Sequence, residues 1–143
     1  MMGDAATAFF EKTYEEATNL LVEARDYIAI EEPADLDQMI ASDRLRLTRE
    51  TTRLTARLTT IMAWLLARKA VLAGELTQAE AARPPYVLER NKTLADGDPA
   101  AYDDLPQLLS DLMARSHRLY VRVTRLDELV QSGIGAQPPR FFS

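Results

Sequence analysis

The run LTRETTRLTARLTTIMAWLLARKAVLAG, residues 47–74, decides the fold. Within it Leu47, Thr51, Leu54, Leu58, Ile61, Leu65, Arg68 and Leu72 recur at alternating steps of four and three. Successive residues of an α-helix turn by about 100°, so these side chains form one stripe on one face. No proline interrupts the run, and Gly74 stands where a glycine commonly ends a helix. The spacing predicts a helix over residues 36–73. Asp35 with Gln38 resembles a capping pair for its start, and Ser42 is the alternative cap.

The same period appears on either side. Phe10, Tyr14, Ala17, Leu21, Ala24 and Ile28 predict a helix over residues 6–31, ended by Pro33. Leu105, Leu109, Leu112, Ser116, Leu119, Val123, Leu126 and Val130 predict a third over 104–131. Asp104 with Gln107 is its cap, Pro106 suits its first turn, and Gly133 and Gly135 end it. Thr77 and Glu80 form a capping box for a short helix over 78–83. Arg83-Pro-Pro85 and Asp96-Gly-Asp-Pro99 then read as an irregular connection. Residues 133–143, rich in Gly, Gln and Pro, are expected to form a mobile tail after a helical domain over 1–132. Three amphipathic helices bury their stripes most simply against one another. The expected fold is all-α, an antiparallel three-helix bundle with one extra short helix, and dimeric.

Composition bounds the function. The chain has 143 residues, enough for one domain with its own core, and a net charge of −5. That charge argues against a broadly nucleic-acid-binding surface. With no cysteine, disulfides, thiolate zinc and iron–sulfur sites are excluded. The acidic start Met1-Met2-Gly3-Asp4 is unlike a signal peptide, and the apolar run 61–67 is too short to cross a membrane. A soluble, cytoplasmic protein is expected.

The outer surface of the central helix points to a partner. Ala56, Thr60, Ala63, Ala67 and Ala70 lie on its back, and no charge falls between Arg57 and Arg68. Two neighbouring helices cannot cover every side of a third. This face is expected to form a homodimer interface, unless the short helix and the connection over 83–102 fold back over it. Arg46, Arg49, Arg53 and Arg57 line one flank. They suit an acidic partner, or else ion pairs with Glu15, Glu16, Glu23 or Asp26 on a neighbouring helix, which is the favoured reading. Arg115, Arg118, Arg122 and Arg125 read the same way. Trp64, on the arginine flank, is either an interface anchor or a side chain packed under the connection. Phe141 and Phe142 are either a docking motif or packed back on the bundle. His117 is the only histidine, and no Glu-x-x-His pair accompanies it, so no metal site or cofactor is expected. Nor is there a phosphate loop or nucleophile elbow. The chain is expected not to be an enzyme.

The stretch Leu45-Arg-Leu-Thr-Arg-Glu-Thr-Thr-Arg-Leu-Thr-Ala-Arg-Leu58, followed by Ala63-Trp-Leu-Leu66, Lys69-Ala70 and Gly74-Glu-Leu-Thr77, resembles the RcdA family, the regulators of CtrA degradation of alphaproteobacteria. Ser116-His-Arg-Leu119 and Val123-Thr-Arg-Leu-Asp127 are similar to the family's third helix. The resemblance implies a dimeric three-helix bundle. It also implies an adaptor that helps the ClpXP protease receive cell-cycle substrates, with ClpX, a response-regulator adaptor and a substrate protein as partners. A flexible C-terminal extension goes with the resemblance; here residues 131–143 stand in its place. The alternative reading is a nucleic-acid-associated regulator that uses the arginine faces of helices two and three.

Overall fold

Why the N-terminal helix does not stop at Pro33 is answered by its backbone. In the computed structural model, which describes residues 2–88, 90, 94 and 104–136, α1 (Met2–Asp26) passes into a π-helical turn (Tyr27–Glu31) and then α2 (Glu32–Asp37). The Glu32 N–H donates to the Tyr27 carbonyl, five residues back. That wider turn brings Pro33 into the first turn of α2, where no N–H is needed. The expected helix end becomes a helix restart.

The long α3 (Ala41–Leu72) begins later than expected, because residues 36 and 37 belong to α2. Neither Asp35 nor Ser42 caps it. Ile40, extended, holds the cap position without a side-chain bond. Asp35 instead accepts a hydrogen bond from the Tyr27 hydroxyl at 2.8 Å. The far end follows expectation. Gly74 has φ +77°, its N–H reaches the Val71 carbonyl, and the Glu75 N–H reaches Ala70. That pair of bonds satisfies the last carbonyls as a Schellman motif. Thr77 and Glu80 then cap α4 (Gln78–Ala81) reciprocally, at 3.0 and 2.9 Å. The last helix, α5 (Gln107–Ala136), runs through both glycines that were expected to stop it. A helical glycine costs only about 1 kcal/mol relative to alanine, and no proline intervenes before Pro138. Among the described residues there is no strand.

The core joins all three long helices around Leu47, Leu54, Leu58, Ile61, Leu109 and Leu119. On α1 the buried line is Thr13, Ala17, Leu20, Ala24 and Tyr27, one residue away from the expected Tyr14, Leu21 and Ile28. Leu21 is 37% exposed.

Helix directions follow from which residues meet. Lys69 pairs with Glu11, and Thr51 donates to Glu32, so α3 opposes α1. Arg122 pairs with Glu16 and Arg115 with Glu23, so α5 opposes α1 as well. Arg46 meets Asp104, Arg57 meets Ser116 and Trp64 meets Asp127, so α3 and α5 run parallel. The expected antiparallel order fails for this pair. Residues 73–106 form a connection long enough to return along the molecule. Its described residues mark the return: Arg90 is level with Asp127, Leu94 with Arg57, and Asp104 with Arg46.

Burial is the main cause that raises the Tyr27 phenol well above its ordinary pKa, and the hydrogen bond to Asp35 adds to it. An unfolded phenol ionises near pH 10, while the folded one keeps its proton. This contribution to stability is therefore complete below pH 10 and is lost as pH rises beyond it. Tyr27→Phe should cost about 1 kcal/mol at pH 8. Thermal unfolding should show that deficit narrowing above pH 10; a constant deficit would contradict the assignment.

Candidate protein-interaction faces

The threonine-rich half of α3 folds its hydroxyls onto its own backbone. Thr52 donates to the Thr48 carbonyl at 2.8 Å and Thr55 to the Thr51 carbonyl at 2.9 Å. Both residues are exposed, so what they offer outward is methyl surface with its polar demand already met. Thr59, Ala63 and Leu66 continue the same exposed, uncharged line, with Leu66 49% exposed. Beside it, between α1 and α3, a groove of about 480 Å³ is lined by Leu21, Val22, Ile28 and Thr55 among others.

The expected dimer residues divide across this surface. Ala56 and Ala63 are exposed, and Thr60 and Ala70 are half-buried. Ala67 is buried without any second copy, near the end of α3 where Arg68 is tied to Gln78 of α4. The exposed face therefore shifts from Ala67 and Ala70 toward Thr52, Thr59 and Leu66.

The arginine flank does three different things. Arg49 is exposed. Arg53 pairs with Glu50 one turn earlier at 2.7 Å. Arg57 is wholly buried and donates to the carbonyls of Leu94 and Met113 and to the Ser116 hydroxyl, at 2.8, 3.1 and 2.7 Å. A side chain enclosed in this way is closed to a partner, which corrects its expected place on a binding surface. The acids Glu16 and Glu23 do take arginines, but from α5 rather than α3. Hydrogen bonding to Glu23 is the main cause raising the Arg115 pKa, and the same bond lowers that of Glu23.

Trp64 is also a core residue, 2% exposed, and so not a surface anchor. Its ring packs on Phe10 at 5.9 Å, and its Nε1–H donates to Asp127 at 3.0 Å. The buried Asp127 carboxylate also accepts from Arg90 and, at 3.4 Å, from Gln131. Arg68 lies over the Trp64 ring and donates to Gln78 at 2.7 Å. Desolvation pushes the Arg68 pKa down, and the nearby Asp127 charge acts against that. Asp127 and Arg90 were not singled out in the sequence. The one trace of this cluster there was a charged Arg68 sitting in an apolar stripe. Phe141 and Phe142 lie outside the described residues.

The charged groups near the core thus serve one another. Among the described residues no group of three His, Cys, Asp or Glu could hold a metal ion. None of the described helices is long and apolar enough to cross a membrane.

Comparison with known proteins places this architecture. The family model described as "Protein of unknown function (DUF1465)" matches residues 2–138. No curated protein matches the chain. The crystal structure of RcdA from Caulobacter crescentus CB15 is similar at a TM-score of 0.71 and 28% identity, covering 92% of this chain and 96% of that one. With nearly its whole length matched, the chain belongs to the DUF1465 family, which is the RcdA family.

Proposed function

We propose that this protein is a non-catalytic adaptor that brings cell-cycle proteins to the ClpXP protease, working as a homodimer of three-helix bundles. The observation that carries this reading is the likeness to RcdA over almost the full length of both chains. The surface supports it. Ion pairs and buried hydrogen bonds occupy Arg53, Arg57, Arg115 and Arg122, so much of the arginine faces is committed internally. Apart from exposed charges near its start such as Arg49, α3 offers an open uncharged face of threonine, alanine and leucine, which suits protein contact better than phosphate. ClpX, a response-regulator adaptor and a substrate protein are the partners this role calls for.

An affinity pull-down with the purified protein tests the role. Recovery of ClpX or of a response-regulator adaptor is the expected result. Recovery of nucleic acid alone would favour a regulator that uses its arginine faces, and a steep salt dependence of duplex binding would identify it. Sedimentation at micromolar concentration tests the dimer. Two chains per particle are expected for the natural sequence and one for Ala63→Glu, because a carboxylate at that exposed site would have to be desolvated. A natural chain that sediments as a monomer removes the dimer.

A further inference from the structure

On the side of the molecule where the π-helical turn meets the start of α5, two large apolar side chains stand in water. Ile30 is 67% exposed and Leu108 is 55% exposed. They flank a crevice of about 240 Å³, room on the scale of one aromatic side chain. Its floor is Tyr27 and Leu112, both buried. Its rim is acidic: Glu23, Asp26, Glu31 and Asp111. Arg115 pairs with Glu23 and Asp111, and the exposed Arg25 with Asp26. Glu31 has no ion-pair partner among the described residues. Four carboxylates thus face two guanidiniums around an apolar hole. A ligand matched to it joins a cation to an apolar ring.

The chain carries such a segment. Residues 137–143 read Gln-Pro-Pro-Arg-Phe-Phe-Ser, with one positive charge beside two aromatics and no acidic side chain. Length decides whose segment it is. From Leu108 to Ala136 a helix rises about 1.5 Å per residue, roughly 42 Å in all. Six residues from 137 to 142 reach at most about 22 Å when fully extended. The crevice is out of range of the tail of its own chain.

We propose that this crevice binds residues 137–143 of a second copy, with Arg140 on the acidic rim and Phe141 or Phe142 between Ile30 and Leu108. The contact is separate from the α3 face and does not depend on the adaptor role. It gives one copy a hold on another through a short peptide, a mode in which an apolar anchor supplies affinity and charge supplies orientation.

A synthetic peptide of residues 137–143, labelled at its N-terminus, is titrated with the full-length Phe141→Ala/Phe142→Ala chain and read by fluorescence anisotropy. Those two substitutions remove the competing tails. A Kd on the order of 10–100 µM is expected, in the range of short peptides. Glu31→Lys and, separately, Ile30→Ser in the receptor should each weaken binding about tenfold. Both positions are exposed, so the fold should survive, and circular dichroism checks that it does. Ala63→Ser on the α3 face should change nothing. A peptide with Arg140→Glu should lose binding to the same extent as the rim variant. No binding at millimolar peptide, or binding indifferent to both crevice substitutions, would overturn the proposal. Neither result would bear on ClpX recovery, so the two readings fail separately.

Discussion

Arg57→Ala is expected to lower the unfolding free energy by roughly 3–5 kcal/mol. Three effects add. The guanidinium fork donates to Leu94, Met113 and Ser116, and its removal strips the carbonyls of Leu94 and Met113 of a donor in a buried place. It also leaves a void the size of a fully enclosed side chain. Finally, it removes one tie between Leu94 of the connection and the helices. Against a typical domain stability of about 5–15 kcal/mol, that is a large share. Arg57→Lys should recover only part of the loss, since one ammonium cannot span three acceptors that a planar fork reaches together. Arg57→Met separates the effects further: it refills the space but supplies none of the three hydrogen bonds. Urea unfolding followed by circular dichroism orders the series as natural, Lys, Met, Ala. If Met proved as stable as arginine, the hydrogen bonds would not be what the side chain contributes.

None of this could be seen in the local pattern. Periodicity places Arg57 beside the stripe, and beside a stripe an arginine is ordinarily at the surface. Its burial is decided by Leu94 and Ser116, 37 and 59 residues further on. Some features that close within one turn are legible, such as the Thr77–Glu80 capping box and the left-handed Gly74, which act through bonds a few residues long, whereas Asp35 does not cap α3 because it bonds the Tyr27 hydroxyl. Features that need a second element are not. The stripe of α1 fits Tyr14, Leu21 and Ile28 as well as Thr13, Leu20 and Tyr27 by spacing alone. Which set faces inward depends on how the helix rolls against α3 and α5. The parallel course of α3 and α5 is of the same kind, because heptads say which faces meet and not which way the helices run. The same limit holds at the surface. Ala63 and Ala67 look equivalent on a helical wheel, yet one is exposed and the other buried. For Trp64 the sequence allows both an anchor and a side chain packed under the connection, because either outcome needs a partner that the local sequence does not name.

Trp64→Ala should cost about 3–5 kcal/mol, and here the choice of replacement separates packing from polarity. Alanine removes the contact with Phe10, opens a cavity at the α1–α3 seam and takes away one of the donors to Asp127. Trp64→Phe keeps a ring in place and loses only the Nε1–H. That donor goes to a carboxylate only 4% exposed, so about 1.5–3 kcal/mol is expected, more than for a neutral acceptor. Asp127→Asn tests the same bond from the other side. An amide oxygen still accepts from Trp64, but the negative charge that faces Arg90 and offsets the desolvation of Arg68 is gone. Combining Trp64→Phe with Asp127→Asn closes a double-mutant cycle. If the indole bond is charge-assisted, the double variant should be less unstable than the two single losses added, by about 1 kcal/mol. Strict additivity would mean that the indole bond is no stronger to a carboxylate than to an amide, and that the Asp127 charge is there for the arginines.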